Sequence, residues 1–199
     1  MTPAWFAVSG VGLAVAAASI AAARRDDIPT WEARVFHAIN GLPDALFPLL
    51  WPPMQLGNLA VGTLLGLVTA WVVGDWAVAV GVVLAMVLKL VTERVVRHEV
   101  SAYLAVRERP GTSQDGAILR GRDVPKSGPS FPSGHVILVA AIGGVVAPVL
   151  PAAWAWLPFL LTATVMFGRV YVGAHNPLDV TAGLGAGLLL GGALAAFVG

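Results

Sequence analysis

The chain contains no cysteine, which removes disulfide cross-links, thiolate nucleophiles and thiolate metal centres from its chemistry. Charge is nearly as scarce. Charged residues fill 12% of the 199 positions, where a soluble domain carries about a quarter. Twelve Lys and Arg face 11 Asp and Glu, for a formal net charge of +1. No basic run is interleaved with aromatic residues, so nucleic acid is not an expected partner. Internal repeats and low-complexity tracts are also missing, and residues 1–199 read as one domain.

What is present is apolar. Hydrophobic residues make up 57% of the chain, with a mean hydropathy of +0.81, and several apolar runs exceed the roughly 20 residues that cross a bilayer. The expected fold is an all-α integral membrane bundle of six transmembrane helices, with the bilayer as its immediate partner. The first span reads as about Pro3–Ala23, closed by Arg24-Arg25-Asp26-Asp27. It lacks a basic start and a small-residue cleavage site, so it reads as a retained helix rather than a signal peptide. Ile28–Pro53, which contains Trp31, Asn40-Gly41 and Pro52-Pro53, is expected to lie along the interface or enter at a slant. The remaining spans read as Met54–Val73, Trp76–Val96, Ser133–Leu150, Ala153–Val172 and Pro177–Val198. A long polar loop, His98–Phe131, separates the third from the fourth. Gly62-x3-Gly66, Gly183-x3-Gly187 and Gly187-x3-Gly191 allow close helix approach.

Six spans put the first, third and fifth connections on one face. Trp31 and Trp51 then mark that boundary, and Trp5, Trp71, Trp76, Trp154 and Trp156 the other, as aromatic belts require. Arg24, Arg25 and Arg34 share this face, and the positive-inside rule places it in the cytoplasm.

Two motifs meet on that face. In Arg169-x5-His175-x3-Asp179, Asn176-Pro177 reads as a helix start with Asn as cap. Asp179 then lies in the first turn, within reach of His175. A carboxylate bonded to one ring nitrogen fixes the tautomer and leaves the other nitrogen free to attack. The bland reading is a histidine and an aspartate decorating an interfacial turn. The second motif, Pro132-Ser133-Gly134-His135, opens the fourth span with Ser133 as the expected cap. Its free N–H groups and helix dipole make an anion site; Gly134 leaves the backbone open to phosphate, and His135 can protonate a departing oxygen. Arg109, before Pro110, offers a planar fork suited to phosphate.

Arg107, Arg120, Arg122 and Lys126 are expected to be solvated or to face lipid headgroups. Lys89 and Glu93 read as an i, i+4 ion pair, with a catalytic role for Lys89 as the alternative. His37 and His98 have no partner pattern.

These residues resemble the type-2 phosphatidic acid phosphatase family, whose signature runs Lys-x6-Arg-Pro, Pro-Ser-Gly-His, Ser-Arg-x5-His-x3-Asp. The second part is complete here as Pro132–His135, and the third as Arg169, His175 and Asp179, with Gly168 where the family has serine. The first part keeps Arg109-Pro110 but has Ala102 where the phosphate-holding lysine belongs, with Arg107, Arg97 or Lys126 as candidate replacements.

The resemblance implies a metal-independent phosphomonoesterase or pyrophosphatase with no cofactor. In it His175 attacks phosphorus, Asp179 orients His175, and His135 is the acid and then the base. Arg109, Arg169, Ser133 and the Gly134 N–H hold the phosphoryl oxygens. The implied substrate is a lipid phosphate: phosphatidic acid, phosphatidylglycerol phosphate, or a polyprenyl phosphate or diphosphate. The implied location is a bacterial cell membrane with the site facing outward, against the charge rule. Ala102 keeps open a lipid-phosphate binding or transport protein, and the related soluble peroxidases keep open a vanadate-dependent haloperoxidase. Oligomeric state is not legible in the sequence.

Overall fold

The computed structural model describes residues 3–24, 27–96, 107–122 and 124–198. Its α-helices are α1 (Pro3–Ala23), α2 (Thr30–Asn40), α3 (Phe47–Met54), α4 (Leu59–Val73), α5 (Trp76–Val95), α6 (Pro110–Ser113), α7 (Gly134–Val146), α8 (Leu157–Tyr171) and α9 (Pro177–Val198). Among the described residues the isolated bridge between Glu108 and Pro129 is the only β pairing.

Among the described residues, four helical segments are long and apolar enough to cross a membrane: Ala4–Ala23, Trp76–Val95, Ala152–Tyr171 and Pro177–Val198. Two of the six expected spans fall short. The second starts at Leu59 rather than Met54, because the Asn58 side chain accepts from the N–H groups of Ala60 and Val61 and caps the helix there. The 15-residue α4 reaches spanning length only together with Asp44–Gly57, from which it is bent by 73°. The fourth, α7, is 13 residues long and ends just before Pro148, a residue that disfavours helix at the position preceding it. Apart from His135, every residue of α7 is buried. A helix walled by protein need not match the hydrocarbon thickness.

α9 runs through the centre, against α1 on one side and α7 on another. Glycine lets the backbones touch. A Cβ on Gly187 would sit 2.5 Å from the Ala140 Cβ, and one on Gly144 2.7 Å from Gly191 backbone. On the opposite side, Gly12 and Gly185 do the same for α1 and α9. Gly10, by contrast, faces open space. Gly187→Leu is therefore expected to cost about 1–3 kcal/mol or more through overpacking, while Gly10→Leu leaves thermal stability in detergent unchanged or higher. Equal melting temperatures for the two variants would contradict this packing.

The geometry carries a consequence for chemistry. The end of α1, the end of α5, the starts of α4, α7 and α9 and the end of α8 gather at one end of the bundle. There Ala23, Phe131 and Ala182 form one apolar cluster, and Gly57 packs directly on the His135 ring. Trp31 and Trp51 are exposed at this end, and Trp71, Trp76, Trp154 and Trp156 elsewhere.

Candidate active site

α8 ends by reversing the chain. Gly173 takes the left-handed conformation at φ 76°, and the Arg169 carbonyl accepts from the N–H groups of Ala174 (3.0 Å) and His175 (3.3 Å). One guanidinium nitrogen of Arg109, Nη1, donates to the Ala174 carbonyl at 2.9 Å. The turn so pinned delivers His175 into the protein interior, 4% exposed.

Asp179, fully buried in the first turn of α9, accepts the Asn176 N–H on Oδ2 at 2.8 Å, the N3-to-cap half of a capping box. The Asn176 side chain does not cap. Its Oδ1 accepts from Gln114 (2.8 Å), and its Nδ2 donates to the Glu108 carbonyl and Ser113 Oγ (both 3.3 Å).

His175 Nδ1 faces Asp179 Oδ2 at 3.7 Å, longer than a hydrogen bond, and makes none elsewhere. Burial pushes the His175 imidazole below its ordinary value of 6.5; Asp179 pulls it back up, and Arg169 and Arg109 push it further down. The ring is therefore neutral at physiological pH, with Nδ1 turned to the carboxylate and Nε2 turned away from it.

The other oxygen of Asp179 belongs to a network absent from the sequence-based expectations. Arg107 Nε donates to Oδ1 at 3.1 Å, and Arg107 Nη2 donates to Glu32 Oε1 at 2.6 Å. The same Glu32 oxygen accepts the Leu178 N–H at 2.8 Å. Burial pushes the Glu32 carboxyl above the usual carboxylate range, opposed by the Leu178 N–H and Arg107.

Arg107 is thus not solvated; it is buried and held between two carboxylates. Arg120 is also buried, correcting the same expectation. It donates to the carbonyls of Asn40, Leu42 and Tyr171 and to Asp44, and lies over the Tyr171 ring. Arg122 and Lys126 are exposed, as expected. Ala102, Arg97 and His98 lie outside the described residues.

The start of α7 is tied to the same place. The Ser133 N–H donates to the Asp179 carbonyl at 2.9 Å. Ser133 Oγ does not cap the helix, as the sequence suggested; it is buried with no hydrogen-bond partner. Next to it, a Cβ on Gly134 would collide with the Glu93 carboxylate and lie 3.1 Å from Lys89 Cε. Lys89 and Glu93 form the expected ion pair, 2.8 Å apart. His135 is half-buried, and the charges that bear on it are those of Arg169, His175, Lys89 and Arg109.

The two histidines and the arginines at 109 and 169 therefore converge on one volume from three separate stretches of chain. Among the described residues no cluster of three or more His, Asp or Glu could hold a metal ion. Gly168 has a local reason to lack the serine side chain: a Cβ there would lie 2.6 Å from Met54 Cγ and 2.7 Å from its sulfur.

A model of the PAP2 superfamily matches residues 76–199. An undecaprenyl-diphosphatase from Sulfolobus acidocaldarius is 36% identical over 90 residues, which make up 45% of this chain and 42% of that protein. The match thus spans about two fifths of the curated relative's length. Among solved structures, Aquifex aeolicus LpxE aligns at a TM-score of 0.69 and 23% identity, covering 83% of this chain and 94% of LpxE. A transmembrane PAP2 type phosphatidylglycerolphosphate phosphatase from Bacillus subtilis aligns at 0.46 and 23% identity, over 96% of this chain and 86% of that one. The likeness to LpxE is one of fold.

Proposed function

The chain belongs to the PAP2 superfamily, and from that premise we propose that residues 1–199 form one membrane-embedded lipid phosphatase working through a phosphohistidine. The observation that carries this reading is a neutral, buried His175 set between the Asp179 carboxylate and the charges of Arg169 and Arg109, beside a second histidine.

In the proposed reaction His175 Nε2 attacks phosphorus in line, and its lone pair forms the P–N bond as the P–O bond to the lipid breaks. His135, charged once the bound phosphate anion offsets the cations around it, gives its proton to the leaving oxygen. It then takes a proton from water as that water attacks the phosphohistidine, the P–N bond breaks, and inorganic phosphate departs. As positive charge develops on His175, its Nδ1–H closes on Asp179; catalytic hydrogen bonds that are long in a free enzyme tighten in this way. Arg109, Arg169, Ser133 and the Gly134 N–H hold the equatorial oxygens, the electrostatic contribution that is often the largest. No step requires a metal ion.

The lipid character of the substrate is supported by position. The site lies at one end of apolar helices, and a cleft of about 240 Å³ between α4, α7 and α8 starts at Leu56 and runs past Val139 and Gly143 to Leu157. Leu56 adjoins Gly57, which packs on His135. Six spans, with α4 and α7 as the shortened second and fourth, complete the proposed architecture. The candidate headgroups are those of phosphatidic acid, phosphatidylglycerol phosphate and polyprenyl phosphate or diphosphate, and the diphosphatase relative favours the last.

The deciding experiment is phosphate release by the purified chain from each of these lipids. Release from at least one is expected; binding of all without turnover would favour the transport reading, and halide oxidation with vanadate the peroxidase reading.

The pH profile follows from His175. It attacks only when unprotonated, and burial lowers its pKa. The acid limb of kcat/KM is therefore expected below pH 6.5, the ordinary value, once ionisation of the substrate is subtracted. A limb at or above that value would assign the titration to another group.

A further inference from the structure

The family signature leaves this phosphate site one cation short at Ala102. We infer that Lys89 of α5 supplies that charge as a direct ligand of the substrate's phosphoryl oxygens, a proposal that rests on the phosphatase reading above.

Placement argues for it. Lys89 Cε lies 3.1 Å from where a Gly134 Cβ would be, so the side chain flanks the first residue of α7. That is where free backbone N–H groups and the helix dipole favour an anion. Its charge bears on His135 together with those of Arg169, Arg109 and His175. The ammonium therefore shares the volume in which the other candidate phosphate ligands converge.

Its place in the chain argues the same way. Lys89 interrupts an apolar membrane-crossing helix, and its side chain is only 12% exposed. A lysine in such a segment is costly, and it faces protein or a water-filled cavity where it serves a function.

The ion pair with Glu93 does not remove it from the reaction. An ammonium has three donors, and at 2.8 Å Glu93 engages one of them. The Glu93 carboxylate itself presses against Gly134, so the pair lies at the mouth of the anion site rather than toward lipid. The carboxylate fixes the lysine's position. Of the cations that the sequence offered, Arg97 lies outside the described residues, Arg107 is held by Asp179 and Glu32, and Lys126 is exposed.

The test uses the purified full chain, with inorganic phosphate and orthovanadate as competitive probes. Lys89→Met is expected to weaken inhibition by both probes, and to lower kcat/KM, by about 10- to 100-fold, the loss of a hydrogen bond to a charged group. Lys89→Arg should retain much of both. Ala102→Lys in the Lys89→Met background should restore at least about tenfold, because a lysine returns from the signature position. Should Lys89→Met fail to fold, Lys89→Gln combined with Glu93→Gln removes both charges together and carries the same readout.

Unchanged probe inhibition and kcat/KM in a folded Lys89 variant would overturn the proposal. So would a loss that Ala102→Lys does not relieve. The wild type and His175→Ala keep the two failures apart: if the wild type releases no phosphate the phosphatase reading fails, and if His175→Ala still turns over the His175 mechanism fails, whatever Lys89 does.

Discussion

Replacing His175 with alanine is expected to lower phosphate release by at least about 10⁴-fold, as loss of a nucleophile does in other covalent enzymes. No neighbour can take over. His135 belongs to the start of α7, and a group that must protonate the leaving oxygen cannot also attack from the opposite side of phosphorus. The fold should survive the change, because the ring makes no hydrogen bond through Nδ1 and Asp179 keeps its contacts to Arg107 and Asn176. Quenching in alkaline detergent with ³²P-labelled lipid phosphate should trap a base-stable, acid-labile phosphoprotein in the wild type and none in His175→Ala. Turnover within about tenfold of wild type in a folded variant would sink the mechanism.

The parts of this molecule that were legible in sequence are those written in local spacing. α1 and α9 run over the residues expected, and α5 ends one residue early, because long apolar runs bounded by charge or proline leave little choice. The pairing of His175 with Asp179 was legible for the same reason: four residues across a helix start put both groups in one turn. The shortened α4 and α7 were not, because their lengths depend on a side-chain cap at Asn58 and on burial inside a bundle.

Arg120 misled differently. A basic residue in a polar loop reads as solvated, but this one lies over the end of α2 and the end of α8, donating to the carbonyls of Asn40, Leu42 and Tyr171. Helix ends leave such carbonyls unpaired, and only the fold shows which cation reaches them. Glu32 did carry a faint signal. Glu32, Phe36 and Asn40 share one face of α2 at i, i+4 and i+8, and all three are buried. Two polar groups on the buried stripe of an amphipathic helix imply distant partners, but nothing local names Arg107, 75 residues away.

That distant partner gives the second large effect. Arg107→Met is expected to destabilise the protein by about 3–5 kcal/mol, because it leaves two buried carboxylates without their shared cation. Glu32 and Asp179 side chains are both fully buried, so water cannot replace the guanidinium. Glu32 is already raised by burial and by the charge of Asp179; without Arg107 it rises further and takes up a proton. Asp179 keeps only the Asn176 N–H on its carboxylate, and the orientation of His175 loosens with it. Turnover should therefore fall more than binding does, with kcat reduced and inhibition by inorganic phosphate retained.

Adding Glu32→Gln to Arg107→Met removes one of the orphaned charges. It should recover part of the melting temperature and little of kcat, since Asp179 still lacks its Nε donor. If instead Arg107→Met keeps kcat and loses phosphate inhibition, Arg107 is a ligand of the phosphoryl group and the carboxylates merely store it. With Nε and Nη2 committed at 3.1 Å and 2.6 Å to two buried anions, the guanidinium could reach phosphate only through its remaining donors. Turning away from either anion to do so would recreate the unpaired charge whose cost sets the size of the expected effect.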